Sequence, residues 1–181
     1  MAKKHIIGML VEDQPRVLTR IAGMFARRGF NIDTITVGKT MRPGVSRIVL
    51  TINGDDRVME QAEKQVNKLV DVLKVSELRQ EEAVVSELCL LKVCTKNENE
   101  KAELLKYAEI YKVKIADITP ASVIFQIVGE PAKIDSFIGL VGKFGIKEVS
   151  RSGVTAISRG SRSLEDKNGK TAKQEGVNEL V

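Results

Sequence analysis

The feature that most narrows the fold is an order of apolar patterns that occurs twice along the chain. Residues 5–11 (HIIGMLV) are apolar and rich in β-branched side chains, the composition of a buried strand. Val17, Leu18, Ile21, Ala22 and Phe25 then recur at helical spacing and stop at Arg27-Arg28-Gly29, where cations and a glycine suit a helix C-terminus. Pro15 fits a first helical turn and Asp13 an N-cap. Residues 31–39 and 45–53 read as strands joined by a Met41-Arg42-Pro43-Gly44 turn. Val58, Met59, Ala62, Val66, Leu69 and Val70 predict an amphipathic helix, and 72–78 a closing strand. The order β-α-β-β-α-β is the split βαβ pattern of ferredoxin-like domains.

After a charged link, Arg79-Gln80-Glu81-Glu82, the order recurs. Residues 87–94 read as a strand and 98–111 as a helix with Ala102, Leu105 and Ala108 inward. A hairpin of 113–118 and 122–128 turns at Thr119-Pro120. Ile134, Phe137, Ile138 and Val141 mark a second helix, and 146–157 a last strand. The expected class is therefore α+β, with two tandem ferredoxin-like βαββαβ units at 1–79 and 83–159. Residues 160–181 hold few apolar side chains and are expected to form a mobile tail. The first strand is apolar on both faces, and four-stranded sheets leave exposed edges. Both features predict a homo-oligomer that pairs edges and covers faces.

Several function classes fall away. His5 is the single histidine: one His with two divergent Cys cannot supply a metal site, a Ser-His-Asp or Cys-His centre would have to use it without a nucleophile elbow, and a surface role is expected for it. Cys89 and Cys94 are an odd number of strand residues apart and point to opposite faces. No G-x-G-x-x-G, G-x-x-x-x-G-K-[ST] or G-x-S-x-G pattern occurs. No catalytic or metal-ligating residues are assigned. The formal charge of +5 is spread evenly rather than clustered, which argues against a nucleic-acid face. An RNA-recognition module shares the element order, but only Phe125 among the aromatics lies in a predicted strand, and no base-stacking signature accompanies it. No apolar run approaches the ~20 residues that span a bilayer. The absence of a leader pattern and of a disulfide framework predicts a cytoplasmic protein.

What the first unit can build is a small-molecule site. The loop after the first strand leads into a helix N-terminus, whose free N–H groups and positive dipole end attract a carboxylate. Amides near Arg16–Leu18 would hold the carboxylate of an amino acid, and side-chain oxygens of Asp13 or Asn31 its ammonium. Val17, Leu18 and Ile32 would meet an aliphatic side chain. Asn31 opens the next strand and is expected to lie near that loop. Each residue also has a purely structural reading: Asp13 as cap, Asn31 as turn residue, Val17 and Leu18 as core.

Residues 10–38 (LVEDQPRVLTRIAGMFARRGFNIDTITVG) resemble the opening of the small, regulatory subunits of acetolactate synthase, or acetohydroxyacid synthase. Further similar stretches are 46–78, ADITPAS at 116–122 and RSGVTAISRG at 151–160. The resemblance implies an N-terminal ACT domain, an amino-acid-sensing module, followed by a second α+β domain. It implies a subunit that does no chemistry and carries no cofactor itself. Its partner would be the catalytic large subunit, which uses thiamine diphosphate, Mg²⁺ and usually FAD in branched-chain amino-acid synthesis. It also implies activation of that partner, feedback inhibition by valine or another branched-chain amino acid, and a homodimer through the ACT domains. In the family the effector lies between ACT domains. The matching positions are Asp13, Gln14, Pro15, Arg16, Val17, Leu18, Asn31 and Ile32. Where the family reads E-N-x-P-G-V-L, this chain has Asp13 for Asn and Arg16 for Gly. The second change matters because Gly tolerates φ > 0 and close ligand approach. The remaining alternative is a stand-alone ACT-type sensor with a different client.

Overall fold

A computed structural model describes residues 3–165. Its elements are β1 (Lys3–Glu12), α1 (Val17–Arg27), β2 (Ile32–Lys39), β3 (Val45–Gly54), α2 (Asp56–Val66), β4 (Val72–Glu77), β5 (Ala83–Cys94), α3 (Glu98–Tyr111), β6 (Lys114–Ile118), β7 (Ser122–Gly129), α4 (Pro131–Val141) and β8 (Ile146–Ser158). The repeated β-α-β-β-α-β order is present as read. The chain forms two antiparallel four-stranded sheets, ordered β2-β3-β1-β4 and β6-β7-β5-β8. The described residues divide into two compact units, one of 3–84 with 156–165 and one of 85–155.

In the first unit, Ile7, Met9 and Val11 of β1 and Ile48, Leu50 and Ile52 of β3 face the helices. They pack with Ile21 and Phe25 of α1 and Met59, Ala62 and Val66 of α2. Alternation at period two on the strands and near 3.6 on the helices makes this the one arrangement that buries both stripes. α2 begins on Asp55, whose carboxylate accepts the Val58 N–H at 2.9 Å, and ends at Val66. Leu69 still packs on the core from the following turn, whereas Val70, expected on the helix's inner stripe, is 90% exposed.

The other face of β1 is covered as well. Ile6 and Leu10 are buried there, and Gly8 between them lies under Leu78 and Leu164. The expected tail is thus folded over its first six residues. Leu164 is 4% exposed, the Arg159 N–H donates to the Glu82 carbonyl at 2.7 Å, and Arg162 pairs with Glu82 at 3.3 Å. Residues 166–181 lie outside the described residues. Cover that the sequence reading assigned to a second copy comes, at Gly8, from the chain itself.

The second unit has its own core of Cys89, Leu91 and Val93 (β5), Phe125 and Ile127 (β7), and Ile134, Phe137 and Val141 (α4). α3 contributes Leu104 and Ala108 rather than the expected Ala102 and Leu105. Glu87 is buried on β5 and is held bidentately by Arg151 at 2.7 and 2.8 Å, with Asp135 taking the third guanidinium nitrogen at 2.6 Å. Phe125 faces inward and is fully buried, so it offers no platform for stacking bases.

Candidate functional site

The loop between β1 and α1 is held mainly by main-chain bonds. Glu12 donates its N–H to the Asp71 carbonyl at 2.9 Å, Asp13 to Gly44 at 2.8 Å, and Gln14 to Glu12 at 2.9 Å. Asp13 is therefore not the helix cap that its position suggested. The N-cap is Arg16, with φ 75° and ψ −6°, and no side chain caps the helix. Pro15 precedes the helix instead of lying in its first turn. The left-handed conformation at Arg16 is the one a glycine adopts without strain, and for a residue with a Cβ it costs about 1–2 kcal/mol. The chain thus places an arginine in a turn of glycine type.

This geometry gives the loop its chemical character. The first turn of α1 contains no acidic side chain, so the amides and dipole of the N-terminus are not neutralised locally. Asp13, Gln14, Pro15 and Arg16 are all exposed around it. Leu18 is 45% exposed on the same turn, whereas Val17 is 4% exposed and belongs to the core. Of the two aliphatic candidates on the helix, only Leu18 is free to meet a ligand.

Asn31 and Ile32 lie elsewhere. Ile32 is paired with Ile52, at one end of β3, whereas Glu12 is paired with Val45 at the other. Seven residues of strand separate those levels, or roughly 23 Å at strand rise. Asn31 is exposed, and Ile32 packs partly on the core. Within one chain the two halves of the expected site are thus not brought together, and the expectation that Asn31 lies near the loop does not hold. Strand direction is the reason: α1 carries the chain from the loop to the far end of the sheet before β2 begins. β2 is an outer strand of its sheet, so one edge has no strand neighbour among the described residues.

Two other features escaped the sequence reading. His5 is not on the surface but 2% exposed, with Nδ1 2.6 Å from Glu77 and Nε2 without a hydrogen-bond partner among the described residues. A cavity of about 320 Å³ lies along β4 and the returning segment, between Ser76, Arg79, Arg162 and Ser163. The only available signal for the second was the isolated Leu164. Among the described residues no helix is long and apolar enough to cross a membrane.

Comparison with known proteins resolves the class. Residues 7–74 match the family model described as the AHAS small subunit-like ACT domain, and residues 86–160 the one described as the small subunit of acetolactate synthase. The probable acetolactate synthase small subunit of Methanothermobacter thermautotrophicus is 48% identical over 160 residues, covering 88% of this chain and 95% of that one. The corresponding protein of Archaeoglobus fulgidus is 43% identical over 159 residues, covering 88% and 99%. The crystal structure of the acetolactate synthase small subunit from Thermotoga maritima superposes with a TM-score of 0.81 at 39% identity, covering 88% of this chain and 99% of that one. Two domain matches in the observed order, together with relatives similar over nearly their whole length, establish that the chain belongs to the family of acetolactate synthase small subunits, the non-catalytic regulatory subunits of that holoenzyme.

Proposed function

We propose that this subunit binds the catalytic large subunit of acetolactate synthase, raises its activity, and transmits inhibition by a branched-chain amino acid, with valine the first candidate. The observation that carries the effector part is the split of the candidate site. An uncapped helix N-terminus with Asp13–Leu18 stands at one end of the β2 edge, and Asn31 with Ile32 at the other. A ligand the size of valine touches both only if a second copy supplies one half. A homodimer pairing the two β2 edges antiparallel does this twice, by symmetry. The carboxylate would sit on the α1 amides of one copy and the ammonium near Asn31 of the other. Leu18 would face the aliphatic side chain. Thiamine diphosphate, Mg²⁺ and FAD belong to the large subunit in this reading.

Arg16 sets the response. Its side chain stands where the family carries none, and it either occupies the space of the effector or pairs with the effector carboxylate. The first predicts a subunit that activates without valine control. The deciding experiment is acetolactate formation by the cognate large subunit, with and without this protein, across a valine titration. Stimulation that valine reverses supports the whole reading. Stimulation indifferent to valine retains the subunit role and locates the lost control at Arg16. No stimulation at saturating protein favours the alternative, an ACT-type sensor with another client.

A further inference from the structure

The cavity along β4 lies on the face of the first sheet that turns away from both helices. Val75 packs in the helix-side core, so its neighbours Lys74 and Ser76 point to the outer face. Ser76 is level with Gly8, the residue that Leu78 and Leu164 cover. Arg79 from the charged link, Ser158 at the end of β8, and Arg162 and Ser163 beyond it complete the walls. All of these residues belong to the first unit, so the cavity is complete within it. Its volume of about 320 Å³ is at the small end of ligand pockets, which run to roughly 300–1,000 Å³.

Three cations and three hydroxyls thus converge here, against two carboxylates, Glu77 and Glu82. Both carboxylates are engaged, Glu77 with the ring of His5 at 2.6 Å and Glu82 with Arg162 at 3.3 Å. Arg79 stands 3.7 Å from Glu77, too far for a hydrogen bond, and Arg162 meets Glu82 through one nitrogen. A guanidinium carries more N–H donors than either contact uses, so both arginines can hold a further acceptor. Arg47 adds a fourth cation to the same face, level with Leu10 from the β3 side as Lys74 is from the β4 side. Its buried Nε–H has no acceptor among the described residues. Such a lining suits an oxyanion. A phosphoryl group offers more acceptor oxygens and more charge than a carboxylate, and so matches donors arriving from several sides.

We infer that this cavity binds a small phosphoryl-bearing anion, which clamps the segment after β8 onto β4 and thereby over Gly8. The cavity is on the opposite sheet face from α1, and the inference does not depend on the effector reading. Inorganic phosphate and glycerol 3-phosphate are titrated separately into the full chain at constant ionic strength, by calorimetry and amide NMR. At least one is expected to bind saturably, with a dissociation constant below about 1 mM and shifts concentrated at 74–79 and 158–164. The melting temperature should rise with that ligand, because only the folded unit binds it. Arg79→Gln combined with Arg162→Gln is expected to weaken binding about tenfold or more and to abolish the rise. Both side chains are exposed, so the double variant should fold as the wild type does. Arg42→Gln, on the exposed β2–β3 turn, should leave binding unchanged. Tighter binding of glycerol 3-phosphate supports a phosphate ester as the ligand, and tighter binding of inorganic phosphate supports the free anion. No saturable binding of either probe, or binding that survives the double variant, overturns the inference. So does citrate binding more tightly than both, since the site would then select carboxylates.

Discussion

A Cβ placed on Gly8 would stand 2.7 Å from Leu164 Cδ1 and 2.9 Å from Leu78 Cδ1. β1 therefore carries a glycine so that two leucines, one from just beyond β4 and one from beyond β8, can close over its outer face. Gly8→Ala forces those side chains outward and is expected to cost about 1–3 kcal/mol, the usual range for overpacking a filled site. Leu164→Ala removes a buried side chain from the same place and is expected to cost about 2–4 kcal/mol. Urea denaturation of both variants checks the pair. Because the two residues touch, the double variant should deviate from additivity.

Arg16→Gly should stabilise the protein by about 1 kcal/mol, since the left-handed turn already exists and only its strain is relieved. Valine binding measured by calorimetry should tighten in the same variant, because the pocket gains the space of a side chain. Equal affinity in both proteins would mean that Arg16 points away from the ligand.

Arg151→Met should be severely destabilising, by about 3–5 kcal/mol, because it leaves the Glu87 carboxylate buried without its bidentate partner. The compensating variant, Arg151→Met with Glu87→Leu, is expected to recover most of that loss. Thermal unfolding of the three proteins reads the difference.

Glu63 on α2 is half-buried, and burial lifts its carboxyl above the ordinary value of 4.5, with the charge of Glu77 adding to the effect. A carboxyl raised in the folded state binds its proton more tightly there. Its contribution is therefore most favourable below pH 4.5 and is lost as pH rises through the folded value. Glu63→Gln is expected to raise the melting temperature at pH 7 and to leave it nearly unchanged at pH 4.

Element order was legible because period-two and 3.6-residue patterns alternate cleanly in both halves. The misreadings have separate physical causes. Asp13 looked like a cap because caps are read from side chains, whereas this helix starts from a backbone turn at Arg16. On α3, two apolar stripes were available, and the wider one, through Leu104, Tyr107, Ala108 and Tyr111, faces the core. His5 reads as a surface residue because the sequence gives it no triad or metal partners; in the fold it is buried on β1 with Glu77 of β4 as its partner. The candidate site was half legible. Residue types mark the loop and Asn31, but chain proximity cannot tell which end of a strand each occupies, and only the register reveals that they are apart.

The N-terminal unit is discontinuous: it is completed by residues 156–165, made after everything in the second unit. On the ribosome, residues 3–84 emerge first with the outer face of β1 covered at Gly8 by Leu78 alone, and the second unit can fold before Leu164 exists to complete the cover. The order of synthesis thus delays closure of the regulatory unit until the second unit and residue 164 have been translated. A nascent or prematurely ended chain would display an apolar seam that the finished subunit hides, giving quality control a way to tell the two apart.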